Sequence, residues 1–308
     1  MDLINSIESG FDRQKAMDFM GDYWHYSFYI SAVYVVTIFG LQHWMKNRER
    51  YELRVALFCW SLLLALFSIR GFMTEGVEHV KYLIANGWEG SVCHEIVSEG
   101  SYGLWAFLFC FSKGPELVDT YFIVFRKQKL IFLHWYHHVT VFIYCWYHYA
   151  YLIYPAQWFI TMNYFVHSIM YSYYAIRASG LYRPPTWVNM VITGLQLAQM
   201  VAGVYINYFL WSKMADPTWY CDGKVEKSYL YVTWSFAMYF SYFVLFSNFF
   251  FKTYCMKKSG DRRKEGQEVV HRGGETVGVS SEVPAGLGKR KQVSKMNGSV
   301  NGISHKDP

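Results

Sequence analysis

His134-Trp135-Tyr136-His137-His138 places three imidazoles in a run that otherwise reads as an apolar helix, just past the basic cluster Arg126, Lys127 and Lys129. At helical spacing the three histidines fall within roughly 100° of one another, so all can face one interior cavity. Ionisable groups at membrane depth must find partners or line a wet cavity, which makes such a cluster a site rather than ordinary packing. Two chemistries suit it. Neutral imidazole ligates iron or zinc, but the chain has too few histidines inside its apolar runs for a multi-histidine di-iron centre. It also lacks C-x-x-C spacing, so no metal is expected. Imidazole can instead serve as base or nucleophile, with a carboxylate such as Asp119 fixing its tautomer.

The elements that must position these residues are membrane helices. The 308 residues are 53% hydrophobic, 20% aromatic and only 17% charged, too apolar for an ordinary soluble enzyme. The mean hydropathy of +0.06 is diluted by a polar tail. Six runs are long enough to cross ~30 Å of hydrocarbon: residues 24–44, 55–74, 102–125, 130–149, 187–211 and 229–251. A seventh, 156–176, is more polar but still spans. The expected fold is all-α and polytopic, with seven transmembrane helices. Residues 1–23 form an N-terminal segment, 24–255 the membrane domain and 256–308 a disordered tail poor in groups to bury.

Short cytosolic loops collect Lys and Arg, and here the basic clusters follow the first, third, fifth and seventh runs. The N-terminus is therefore expected in the lumen and the C-terminus in the cytosol. The net charge of +6 reflects this asymmetry and gives no reason to invoke nucleic acid. Cys93 and Cys221 fall in expected lumenal loops, where disulfides persist, and a bridge between them is expected. Cys59, Cys110, Cys145 and Cys255 read as small apolar residues of helices.

Polar residues also recur at matching depth. At ~1.5 Å per residue, Glu116, Asp119, His137, His138, His167, Asn163, Gln196 and Gln199 all lie about 9 to 20 Å in from the cytosolic ends of four helices. Lys113, Glu116, Asp119 and Thr120 share one arc of a continuous third helix. Asn163 and His167 are one turn apart. Polar contacts that merely hold helices together are the competing reading, strongest for the two glutamines. Seven helices also admit a receptor or transporter, although such a pocket would usually open outward.

Lys113-Gly-Pro-Glu116-Leu-Val-Asp119-Thr120, His134-Trp-Tyr-His137-His138, Asn163-Tyr-Phe-Val-His167-Ser-Ile-Met170-Tyr171 and Thr193-Gly-Leu-Gln196-Leu-Ala-Gln199 resemble the four signature motifs of the very-long-chain fatty acid elongases, in that family's order. Leu130 to Tyr136 is similar to the branch acting on saturated and monounsaturated chains. The resemblance implies six of the seven helices surrounding an acyl-chain tunnel in the endoplasmic reticulum membrane. The reaction it implies is condensation of a long-chain acyl-CoA with malonyl-CoA, giving 3-oxoacyl-CoA, CoA and carbon dioxide without a further cofactor. His137 would be the nucleophile, with His138, His134, His167 and Asp119 in support. Lys113, Glu116, Asn163, Tyr171, Gln196 and Gln199 would contact substrate, and Arg126, Lys127, Lys129, Arg177 and Arg183 would hold the CoA phosphates. Implied partners are membrane lipid and the 3-oxoacyl-CoA reductase, 3-hydroxyacyl-CoA dehydratase and enoyl-CoA reductase that complete such a cycle, with room for a homo-oligomer.

Overall fold

The structure, a computed structural model, describes residues 8–93, 100–151, 155–214, 216 and 225–256. Among them every regular element is a helix: α1 Arg13–Tyr23, α2 Tyr26–Trp44, α3 Arg54–Cys93, α4 Gly100–Ser112, α5 Val118–Phe125, α6 Phe132–Tyr151, α7 Ala156–Ser179, α8 Thr186–Met214 and α9 Val225–Phe250. The expected tail lies almost wholly outside the described residues.

Among the described residues four helical stretches are long and apolar enough to cross a membrane: Tyr26–Asn47, Arg54–Cys93, Thr186–Met214 and Tyr229–Cys255. The other three expected spans fall short for identifiable reasons. α6 and α7 have 20 and 24 residues, ample length at ~1.5 Å each, but their hydropathy is lowered by the polar residues that the sequence marks as a site. The third run is not continuous, because α4 stops at Ser112 and a 3-10 turn, Pro115–Leu117, separates it from α5. Pro115 has no N–H, and its ring would clash with the carbonyl four residues back, so an α-helix cannot pass through it undisturbed.

Two more stretches differ from expectation. Residues 13–23 form a helix started by the Asp12 side chain, which accepts from the Lys15 amide at 3.1 Å and caps an otherwise orphaned donor. Met20 anchors this helix in the core with no exposed surface. α3 runs on, past the expected span end at residue 74, through a charged stretch to Cys93, with one non-helical residue at Gly87 (φ 70°). Those charges are sorted by helical spacing: Glu75 and His79 are buried, while Glu78 and Lys81 face outward and pair at 2.7 Å.

Six helices pack in a closed circuit, α3 to α4 to α6 to α9 to α8 to α7 and back to α3, with α1 and α2 against its outside on α6. The α3–α7 seam is close because Gly71 leaves no Cβ where the Tyr164 ring lies. At its end Arg54 donates from Nε to Ala178 O and from Nη2 to Ser179 O, both at 2.9 Å. Those are orphan carbonyls of the last turn of α7. Gly180, at φ 72°, takes the left-handed conformation that closes the turn at no steric cost. Cys59, Cys110, Cys145 and Cys255 are free thiols. Cys93 is disulfide-bonded, and its expected partner Cys221 lies outside the described residues.

Candidate active site

The break at Gly114-Pro115 is what builds the site. On one unbroken helix Lys113, Glu116, Asp119 and Thr120 would share a face, but across the 3-10 turn they fan out towards three different neighbours. Lys113 and Glu116 are 3% exposed each. The Lys113 ammonium donates to Glu116 Oε1 at 2.7 Å, to Oε2 at 3.0 Å and to Asn163 Oδ1 of α7 at 3.1 Å. The ammonium also sits over the Phe109 ring, with Nζ 4.2 Å from its centroid. An ammonium has three N–H donors, and three acceptors take them. Glu116 also accepts from Ser112 Oγ at 2.9 Å, and its Oε2 stands 3.9 Å from His167 Nδ1. This is a buried pair with its remaining lone pairs satisfied, the condition under which such a pair is tolerable in a dry core.

Asp119 points elsewhere. Its oxygens accept from Trp60 Nε1 of α3 and from Tyr171 Oη of α7, each at 2.6 Å. The sequence reading of Asp119 as the anchor of the histidines is therefore corrected: its carboxylate ties α5 to α3 and α7, and two donors already occupy it. The group that meets a histidine is Thr120, whose Oγ1 is 3.0 Å from His134 Nε2.

The four histidines come together. The rings of His134 and His138, one turn apart on α6, have centroids 4.5 Å apart, and those of His137 and His138 are 5.7 Å apart. His137 lies within electrostatic reach of His167, Lys113, His134 and Glu116. α9 supplies a wall that sequence reasoning missed: the Tyr242 and Phe246 rings lie 4.9 and 6.4 Å from that of His137. The Tyr242 hydroxyl is held by Thr140 at 2.5 Å. The His167 ring stands edge-on to Tyr171 at 5.2 Å, so the Asp119 clasp reaches the site through Tyr171. On α8, Gln196 Nε2 approaches Met170 Sδ at 3.3 Å and Gln199 is buried.

The basic residues divide. Lys127 is exposed but engaged, donating from Nζ to Lys46 O at 3.1 Å and Arg48 O at 2.9 Å, which closes the 3-10 turn after α2 and occupies a charge expected to meet phosphate. Arg177 reaches Tyr173 Oη at 3.3 Å and stacks over that ring at 5.7 Å. Lys129, Arg177 and Arg183 are exposed and Arg126 is half-buried. Among the described residues no group of three His, Cys, Asp or Glu has metal-binding geometry.

Among the described residues the chain is an all-helical protein with four candidate membrane spans that gathers paired charges, amides and four imidazoles inside its bundle. The chain belongs to the ELO (GNS1/SUR4) family, whose model matches residues 19–262. It is 46% identical over 253 residues to very long chain fatty acid elongase 6 of Drosophila melanogaster, covering 82% of this chain and 79% of that one. With the protein of the same name from Gallus gallus it shares 44% over 258 residues, 83% and 95% of the two chains. With very long chain fatty acid elongase 3 of Homo sapiens it shares 37% over 259 residues, 83% and 93% of the two.

Proposed function

We propose that this chain is the condensing enzyme of microsomal fatty acid elongation, joining a long-chain saturated or monounsaturated acyl-CoA to malonyl-CoA. Seven helices cross the endoplasmic reticulum membrane in this reading: the four long apolar ones, the broken α4–α5 pair, α6 and α7. The N-terminus is lumenal and the C-terminus cytosolic. The six-helix circuit would enclose the acyl chain, and Arg126, Lys129, Arg177 and Arg183 at its basic end would hold the CoA phosphates. The observation that carries the proposal is the gathering of His134, His137, His138 and His167 beside a Lys113–Glu116–Asn163 network whose ammonium is fully engaged.

In the first half-reaction a nitrogen of His137 attacks the thioester carbonyl. The C–N bond forms, the C–S bond breaks, and CoA leaves as the thiol with the proton lost from the imidazolium, which His138 or His167 can relay. In the second, the C–CO2 bond of malonyl-CoA breaks and its electron pair stays on the α-carbon as an enolate. That carbon attacks the acyl-imidazole, forming 3-oxoacyl-CoA and returning the electron pair to His137, whose ring takes up one proton from solvent through the neighbouring imidazoles and is neutral again. A water-poor site favours loss of the carboxylate charge, and fixed donors stabilise the enolate oxygen. Lys113 has no N–H left for that role. Asn163 does: its Oδ1 is turned to Lys113, which leaves its NH2 to donate, with Gln196 the next candidate.

The test is product analysis with purified protein, malonyl-CoA and acyl-CoAs of graded length. Formation of 3-oxoacyl-CoA with stoichiometric carbon dioxide, abolished in His137→Ala, is the expected result. Full condensation by His137→Ala would remove His137 from the reaction. The reductases and dehydratase of the cycle are the proposed partners, and the two CoA esters are the only small molecules required.

A further inference from the structure

α2 lies outside the six-helix circuit, yet one of its residues reaches the histidines. Its buried stripe is Ser27, Ser31, Tyr34 and Ile38, spaced as one face of a helix. Tyr34 is 2% exposed, and its Oη lies 2.6 Å from Thr120 Oγ1. Thr120, with no exposed surface, is in turn 3.0 Å from His134 Nε2. The three groups form a chain from a helix outside the circuit to the first histidine of the cluster.

Proton counting along that chain has one good solution. A phenol and a threonine hydroxyl carry one hydrogen each, and a neutral imidazole carries one on either nitrogen. In the first arrangement Tyr34 donates to Thr120 and Thr120 donates to His134 Nε2, so the imidazole proton sits on Nδ1 and both hydroxyl hydrogens are used, while Nδ1 is not among the fully buried atoms that lack a partner. In the second, His134 Nε2–H donates to Thr120 and Thr120 donates to Tyr34. The phenol hydrogen then needs another acceptor, and among the described residues Thr120 is the one partner of Tyr34 Oη. In a third, Tyr34 and His134 Nε2–H both donate to Thr120 and the threonine hydrogen has no acceptor among the described residues; a buried donor left unmade disfavours the second and third arrangements by about tenfold or more. The Tyr34 backbone is itself held in place, since Thr37 Oγ1 donates to its carbonyl at 2.9 Å and meets Tyr121 Oη at 2.8 Å.

We infer that Tyr34 is a positioning residue which, through Thr120, holds His134 as the Nδ1–H tautomer with Nε2 fixed as a hydrogen-bond acceptor. His134 is then not a base at Nε2. The proton it can offer the cluster is the one on Nδ1, on a ring whose centroid is 4.5 Å from that of His138. The tautomer itself follows from geometry alone, while its consequence for turnover rests on the function proposed above.

The experiment uses the full chain labelled with 15N-histidine, with His134→Gln assigning the resonances of that ring. In the unsubstituted protein the His134 Nε2 signal is expected to be pyridine-type and Nδ1 pyrrole-type. Tyr34→Phe frees Thr120 to accept as well as donate, giving a tautomer mixture and a fall in kcat of about tenfold with KM for acyl-CoA unchanged. Thr120→Val cuts the same chain and should act likewise, which keeps the test open should Tyr34→Phe not fold, while Thr120→Ser keeps the hydroxyl and restores both readouts. A protonated Nε2 in the unsubstituted protein, or an unaltered tautomer in both Tyr34→Phe and Thr120→Val, overturns the inference. Absence of any condensing activity in the unsubstituted protein would instead overturn the proposed function and leave the tautomer result standing.

Discussion

Two buried polar clusters lie in this bundle, and they are built in opposite ways. The first joins Lys113, Glu116, Asn163 and the histidines across α4, α5, α6 and α7, at a point where one helix is broken. The second clasps α3 to α7: Glu75 accepts from Gln157, and His79 Nδ1 meets Thr161 Oγ1 at 3.2 Å. Both contain a carboxylate and imidazole shut away from water. In the first, the charge of Glu116 is matched by an ammonium whose every N–H is used. In the second, Glu75 Oε1 and His79 Nε2 have no hydrogen-bond partner, on two helices that pack along their length and run regularly through these positions, the one non-helical residue of α3 being Gly87, eight residues further on. An acidic group without a cation beside it, in a two-helix seam, serves as a clasp. Saturated charges beside the His137 and His138 rings and an amide NH2 with no hydrogen-bond partner among the described residues are the arrangement that the proposed reaction centre needs.

Substitutions can break that contrast, and the largest effect is expected at His137. His137→Ala should lower condensation by roughly 10²–10⁴-fold while leaving acyl-CoA binding intact, measured by steady-state product formation beside equilibrium binding. Next is Lys113→Met, which strands the Glu116 charge. A loss of roughly 3–5 kcal/mol is expected from denaturant unfolding in detergent, with Lys113→Met/Glu116→Gln recovering stability but not turnover. Tyr171→Phe removes one of the two donors to Asp119 and should destabilise by about 1–3 kcal/mol; an unchanged unfolding midpoint would mean the Asp119 clasp contributes nothing. Lys127→Ala, by freeing the Lys46 and Arg48 carbonyls, should reduce stability by about 1 kcal/mol. Its KM for acyl-CoA should shift less than that of Arg126→Ala, and the reverse order would restore Lys127 as a phosphate ligand. Glu75→Gln is the smallest: stability held or raised and turnover within about twofold, since only the clasp is altered. A collapse of activity there would erase the distinction between the two clusters.

Much of the site was legible in the sequence because charged and imidazole groups are conspicuous against apolar helices. Lys113, Glu116, Asn163, His134, His137, His138 and His167 were all marked by type and spacing, and the structure brings them together. Asp119 was marked too, but its partners were not, because the break at Pro115 turns it away from the histidines and hydrophobic continuity from 102 to 125 hid that break. Trp60, Tyr34 and Tyr242 could not be singled out in a chain with 12 Trp and 27 Tyr, where only packing says which aromatic meets a polar atom. The helical spacing of Ser27, Ser31 and Tyr34, four and three residues apart, was a usable sign of one shared face. The second expected span ended at residue 74 because charges close an apolar run there, although an amphipathic helix carries charge as well. Only helical spacing separates Glu75 and His79 from Glu78 and Lys81.

The most direct measurement is intact-mass analysis of the purified protein given long-chain acyl-CoA without malonyl-CoA. The account predicts a mass increase of one acyl group less one hydrogen, mapped to His137, absent in His137→Ala and discharged as 3-oxoacyl-CoA when malonyl-CoA is added. Normal product formation from protein that never carries the acyl group would contradict it.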